Sequence, residues 1–329
     1  VETVSGLRRT GLAPFRMLGA TWPGAEGAAL ARVHGLLGWG PWFPLPALGG
    51  HGPDPGSAEA ARARAVTQPA WVGSADGYEL RLAGAAPPAG VHLVRPGEGP
   101  GVAGRANGGG GGLRVASVSP AVLPRSAWQA APPAEPIDMA PSLVMAFAHH
   151  TATPNGYAGD DVPAILRGMQ AYHMHTNGWN DIGYNFVVDR FGRVWEARAG
   201  SLDGPAVGAH TGGYNTGSLG VALLGNHEGS GPAAGAVDSL AWLVGTRLWS
   251  AGVDPRGAAT LNGRTFAAVS GHGDAVATAC PGRHVVPLLP AIRELAARYR
   301  PDAPPPPPPD LLTSVLQLLD SLLRPLSGR

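Results

Sequence analysis

Leu143–Ala148 reads LVMAFA, an apolar run with no polar interruption, and His149-His150-Thr151 follows at once. The run has strand length. A strand that does not alternate is buried on both faces. Sheets of that kind are covered by helices on each side, which makes the surrounding fold α/β. The C-terminal end of such a strand is where open α/β sheets hold their ligands. The two histidines stand at that end.

A second stretch complements it. Gly271-His272-Gly273-Asp274-Ala275-Val276-Ala277-Thr278-Ala279-Cys280-Pro281-Gly282 holds the only cysteine of the chain, with a histidine upstream between glycines. Imidazole from the His149-His150 site, imidazole from His272 and thiolate from Cys280 supply three zinc ligands. Three protein ligands and one open position is the catalytic pattern of zinc, whereas structural sites are closed. Zinc also lowers the pKa of a bound water from about 16 to about 7.

Composition narrows the alternatives. All 24 basic residues are Arg, so lysine-based catalysis is excluded. The net charge is +1 and no basic cluster tracks a phosphate backbone, which argues against nucleic acid as a partner. No apolar run is long enough to cross a bilayer. A single cysteine makes no internal disulfide and leaves the compartment open. The chain starts at Val1 rather than Met, which reads as a leader already removed or left out.

Three regions follow from the chain in order. Residues 1–118 are expected to form a small β-rich domain of unassigned role, from short apolar stretches (Phe15–Trp22, Leu30–Leu37, Ala70–Val72, Tyr78–Leu82, Val91–Val94) cut by turn residues. Trp39 and Trp42 are expected in its core rather than on a sugar-binding platform. Asn107 and Gly108–Gly112 read as a flexible connection. Residues 119–300 should form the α/β domain. There, Asp161 caps a helix, and Tyr184–Asp189 with Val194–Ala197 form a hairpin. Leu219–Leu224 and Phe266–Ser270 are strands, and Ala233–Ser250 and Val285–Tyr299 are helices. Residues 301–329 comprise a polyproline spacer, Pro304–Pro309, and a Leu-rich amphipathic segment, Leu311–Leu326.

From about residue 120 to 300 the chain resembles the type 2 N-acetylmuramoyl-L-alanine amidases, which include the peptidoglycan recognition proteins and the phage T7 lysozyme. The motifs are RSAW, FAHHTATPNGY, YHMHTNGWNDIGYNFVVDRFGRVWEAR, VGAHTGGYNTGSLGVALLGN and SGHGDAVATACPG. An N-terminal β-rich segment before them is similar to secreted actinobacterial members. The resemblance implies a mixed five- or six-stranded sheet flanked by helices. It implies zinc-dependent cleavage of the amide between N-acetylmuramic acid and L-alanine in peptidoglycan or a muropeptide. It places the protein in the cell envelope or outside the cell. By position it makes His149, His272 and Cys280 the zinc ligands, and Tyr184 and Thr278 catalytic. His173, His210 and Asn215 become groove residues that contact the muropeptide. The family's GHRD stands here as Gly271-His272-Gly273-Asp274, with Gly273 in place of arginine.

Strand alternation turns His150 to the face opposite His149. Glu196 is the one carboxylate considered as a general base. His34, His51, His92, His175, His227 and His284 carry no partner pattern and read as surface or structural. Two competing functions remain: a non-catalytic peptidoglycan-binding protein on the same fold, and a cysteine hydrolase using Cys280 with a histidine. The first would typically have lost a ligand. The second would be blind to chelators. Stem-peptide preference and oligomeric state leave no trace in the sequence.

Overall fold

The computed structural model describes residues 6–21, 28–82, 90–95 and 122–301. The glycine run 108–112, the polyproline spacer and the Leu-rich segment lie outside the described residues.

The N-terminal part is β-rich, as expected. Its strands are β1 (Gly6–Arg9), β2 (Phe15–Thr21), β3 (Ala29–Gly35), β4 (Gly38–Trp39), β5 (Phe43–Leu45), β6 (Ala70–Ala75), β7 (Gly77–Leu82) and β8 (Gly90–Val94). They form two antiparallel sheets. One is ordered β1-β7-β3-β4 with β5 also on β3, and the other is β6-β2-β8. Phe15, Leu18, Ala31, Leu45, Tyr78 and Leu80 meet between them as a sandwich core. The tryptophans depart from expectation. Trp39 and Trp42 are only half-buried. Arg8 and Arg32 lie 4.6 and 5.0 Å from the Trp39 ring, and Arg32 and Arg81 lie 4.8 and 4.1 Å from the Trp42 ring. Phe15, Tyr78 and aliphatic side chains fill the small core, and the two tryptophan rings stack with guanidinium groups on the sheet surface.

The second part contains β9 (Met145–His150), α1 (Val162–Ala171), β10 (Phe186–Val188), β11 (Val194–Glu196), β12 (Ser218–Leu223), α2 (Ala234–Ser250), β13 (Ala258–Leu261), β14 (Arg264–Ala267), β15 (Val269–Gly271) and α3 (Leu289–Ala296). Its five-stranded sheet runs β11-β10-β12-β9-β15. Only the β10–β11 hairpin is antiparallel; the other pairings are parallel. β9 is fully buried, as an unbroken apolar run requires. Ala146 and Ala148 face Leu240, Val244 and Ile292 of α2 and α3. Met145 and Phe147 face Phe266 and Ala275.

Three local expectations are revised. Asp161 does not cap α1; its carboxylate accepts the Ala158 amide at 2.8 Å, closing the preceding turn. The strand expected over Phe266–Ser270 is broken at Ala268, so that β14 pairs with β13 while β15 pairs with β9. The last helix is shorter than Val285–Tyr299. Pro287 and Pro290 lack amide donors, a 3-10 turn occupies Val286–Leu288, and α3 ends at Ala296.

β2 joins the two parts. Its burial pattern shows almost no exposed face. Phe15 and Leu18 point into the sandwich, whereas Met17 packs with Val162, Ile165, Leu166 and Met169 of α1. Gly168 permits this approach, because a Cβ there would sit 2.8 Å from the Met17 sulfur. Tyr172 donates to the Thr67 carbonyl at 3.1 Å. Glu59 and Arg198 pair at 2.6 Å across the same junction.

Candidate metal centre

Strand geometry sets the first donor. His149 and His150 are consecutive on β9, so their side chains leave opposite faces. His149 stands on the face of Phe147. His150 turns the other way and accepts the His227 amide on Nδ1 at 3.2 Å. β15 lies beside β9, with Gly271 opposite Ala148, so the next residue, His272, emerges next to His149. Their ring centroids are 4.7 Å apart. The loop after His272 folds back through Gly273 N–H to the Cys280 carbonyl at 2.8 Å, which returns the thiol to the same place. Cys280 Sγ is 3.5 Å from His149 Nδ1 and accepts the His150 amide at 3.3 Å.

His51 joins them. It comes from the β-rich part, on the loop after β5, and was expected to be surface or structural. Its ring is 4.2 Å from that of His272 and 5.3 Å from that of His149. One donor atom each from His51, His149, His272 and Cys280 lies within 4.8 Å of the others, and all four residues are buried. Nothing in the spacing of His51 marks it. The only local signal is the glycine-rich Gly49-Gly50-His51-Gly52, which permits close backbone approach.

The donor set fits zinc. The Gly50 backbone lies near the His272 ring, but neither ring nitrogen has a hydrogen-bond partner of ordinary geometry among the described residues, an unusual state for buried polar atoms. His149 turns Nδ1 toward Cys280 while its Nε2 is 3.1 Å from His210 Nδ1, the outer hydrogen bond typical of a ligating histidine. Burial pushes the His51 imidazole down to about 4 and those of His149 and His272 well below the usual value, with neighbouring imidazoles adding to the shift for His149 and His272. All three are therefore neutral, which is the ligating form. Burial pushes the free Cys280 thiol up, and the amide of His150 is aimed at its sulfur.

The remaining expected residues surround this centre. The Tyr184 hydroxyl is 3.3 Å from His51 Nε2 and 3.4 Å from the His150 carbonyl. Burial, followed by the nearby Cys280, raises its pKa well above the usual tyrosine value, so it stays a donor. Thr278 is half-buried, and its hydroxyl accepts the Cys280 amide at 3.3 Å. His173 accepts the Gly183 amide at 3.1 Å and lies 4.6 Å from the Trp179 ring, lining a cavity with His51, Thr151 and Tyr184. His210 is fully buried and reaches the centre through His149. Asn215 is also fully buried, its Oδ1 accepting the amides of His210 and Thr211.

Glu196 takes no part. It sits on β11, separated from β9 by two strands, and its carboxylate accepts the Arg125 and Leu202 amides. Gly273 is exposed, and a Cβ there would lie 3.2 Å from the Cys280 carbonyl. Arg264 instead reaches this turn, donating to the carbonyls of Asp274 and Ala275.

Known proteins align with both parts. Residues 140–283 match the Amidase_2 family, N-acetylmuramoyl-L-alanine amidase, and residues 1–101 match the Rv3811 N-terminal galactose-binding domain-like family. Human N-acetylmuramoyl-L-alanine amidase is 35% identical over 185 residues, covering 55% of this chain and 30% of that protein. The chain spans at most 30% of the length of the human, pig and mouse amidases. A solved structure of peptidoglycan recognition protein LE in complex with tracheal cytotoxin matches 52% of this chain and 93% of its own, at 28% identity and a TM-score of 0.45. A short peptidoglycan-recognition protein of Drosophila simulans is 30% identical over 167 residues, covering 50% of this chain and 83% of that protein. A relative so nearly spanned, together with a family match that runs from β9 to the Cys280 loop, makes this chain a member of the N-acetylmuramoyl-L-alanine amidase and peptidoglycan recognition protein family.

Proposed function

We propose that the chain hydrolyses the amide between N-acetylmuramic acid and L-alanine in peptidoglycan or its fragments, with zinc held by His149, His272 and Cys280. The observation that carries this reading is the meeting of these buried donors beside the Tyr184 hydroxyl. Bound zinc supplies Lewis-acid chemistry at neutral pH. The chain's own residues do the rest. Tyr184, protonated and desolvated, donates a hydrogen bond to the carbonyl oxygen as negative charge develops on it. Thr278, whose hydroxyl lies against the Cys280 amide, offers a second hydroxyl. His210 holds the His149 ring in one orientation. His173 lines the cavity where the glycopeptide would bind, and Asn215 shapes the neighbouring wall by holding the His210 and Thr211 amides. The relatives' printed names, which include peptidoglycan-recognition proteins, support the ligand class, and a site of action in the envelope or outside the cell goes with a cell-wall polymer as substrate.

Cys280→Ser tests the reading. A serine hydroxyl stays protonated at neutral pH and ligates weakly. The variant should lose most of its zinc and all hydrolysis of soluble muropeptide, while sedimentation with insoluble peptidoglycan persists in part. Chelator should silence the wild type and added zinc restore it. Full zinc occupancy and full activity in Cys280→Ser would refute the assignment. A second reading, peptidoglycan binding without hydrolysis, is favoured by one observation: a fourth donor, His51, stands in the cluster. It predicts wall binding with no release of stem peptide under any metal supplementation.

A further inference from the structure

The loop that carries His51 lies on the residues that a substrate would use. Gly49 has φ +60°, and a Cβ there would be 2.8 Å from the Thr278 hydroxyl. Gly50 has φ +81°, and a Cβ there would be 2.6 Å from a Val276 methyl. Only glycine lets the backbone run this close to the Thr278 wall. On the other wall, Gly212 N–H donates to the Gly50 carbonyl at 2.9 Å and Asn215 Nδ2 donates to the Gly52 carbonyl at 2.9 Å. Asp54 then anchors the loop. Its carboxylate accepts from Asn215 N and Nδ2 at 2.9 and 2.8 Å, and from Thr216 N and Oγ1 at 2.9 and 2.8 Å. The cavity beside Tyr184 is lined in part by Leu48, His51, Gln68 and Pro69 of the β-rich part.

His51 has a fixed orientation within this loop. Its Nδ1 donates to the Leu48 carbonyl at 2.5 Å, which fixes the tautomer. The lone pair is then on Nε2, the atom 3.3 Å from the Tyr184 hydroxyl. A histidine whose outer nitrogen is bonded to a backbone carbonyl is the usual arrangement of a metal ligand.

We propose that His51 is the fourth donor of the metal centre and that Gly49–Asp54 is a built-in occupant of the substrate groove, so that this conformation is a closed, latent form of the protein. The inference rests on the metal-centre reading above. A centre with four protein donors has no open position for chemistry. Opening requires displacement of this loop, by substrate or by movement of the β-rich part. A muropeptide must compete with it, so apparent affinity falls in proportion to the fraction of molecules that are open.

The experiment compares full-length wild type, His51→Ala and Asp54→Ala, each zinc-loaded. X-ray absorption at the zinc edge should find three imidazole nitrogens and one sulfur in the wild type. In His51→Ala it should find two nitrogens, one sulfur and an oxygen. Hydrolysis of soluble muropeptide should rise at least about tenfold in His51→Ala, as expected if nine-tenths or more of the wild type is closed. Asp54→Ala leaves every donor in place and removes only the anchor. It should raise hydrolysis in the same direction, and it serves if His51→Ala does not fold. A wild-type centre with two imidazoles, one sulfur and an oxygen would overturn the proposal and leave the metal-centre reading standing. Absence of zinc from wild type and variants alike would overturn both. A three-imidazole wild type with no gain of hydrolysis in either variant would overturn the latent form and make His51 a permanent structural ligand.

Discussion

Each donor at the centre is set by a different local cause. His149 is aimed by β9, His272 by the end of β15, and Cys280 by a loop that returns through Gly273. Tyr184 has no partner strong enough to ionise it, since burial acts against the phenolate. Tyr184→Phe should therefore keep zinc and fold but lose a transition-state donor. Turnover should fall by about 10²–10³ at unchanged metal content. Turnover near that of the wild type would remove Tyr184 from the mechanism. Ligand chemistry singled out His272, Cys280 and the His149-His150 pair, and Tyr184 came only from the family resemblance; the structure brings His149, His272, Cys280 and Tyr184 together. His51 stood out in neither way, because its neighbours in the chain are glycines and prolines and its partners are far away. His210 was expected at the groove from the resemblance, and its contact with His149 depends on how two segments pack.

At the scale of elements, the β10–β11 hairpin shows how one side chain holds a turn. The Asp189 carboxylate is fully buried and accepts the amides of Phe191 and Arg193 at 2.9 and 3.1 Å, the Trp195 indole at 2.9 Å and Arg193 Nε at 2.6 Å. Asp189→Ala strands these donors and should cost about 2–4 kcal/mol, the scale of several buried groups left unpaired. Urea denaturation measures it. A loss below about 0.5 kcal/mol would show that the turn is held by its backbone alone. The hairpin was legible from Arg190-Phe191-Gly192-Arg193 between alternating strands. The broken strand at Ala268 was not, since both halves are apolar and only their pairing with different neighbours separates them.

For the whole molecule, the decisive feature is the junction between the β-rich part and the α/β part. Met17 of β2 packs on α1, and Glu59 meets Arg198, whose side chain is 1% exposed. Glu59 also accepts the Asn180 amide at 2.7 Å. Glu59→Ala would leave a buried guanidinium without its carboxylate. The expected cost is roughly 3–5 kcal/mol, that of breaking a buried ion pair by removing one partner. It should appear in thermal or denaturant unfolding, with both parts weakened together. Independent transitions, one of them unchanged, would show that the junction does not couple the two.

Residue type and short-range pattern were enough for the α/β class of the second part and for naming His272 and Cys280 as candidate donors; the family resemblance chose His149 over His150, and β9 runs Met145–His150 rather than Leu143–Ala148. Those features depend on neighbours in the chain: an apolar run, a turn, a ligand of the right chemistry. The packing of β2 against α1 depends instead on surfaces that exist only after both parts have folded. That packing carries the loop after β5 onto the groove and sets His51 beside the other donors. No periodicity or spacing encodes such a contact, because its free energy comes from complementary surfaces contributed by residues remote in sequence.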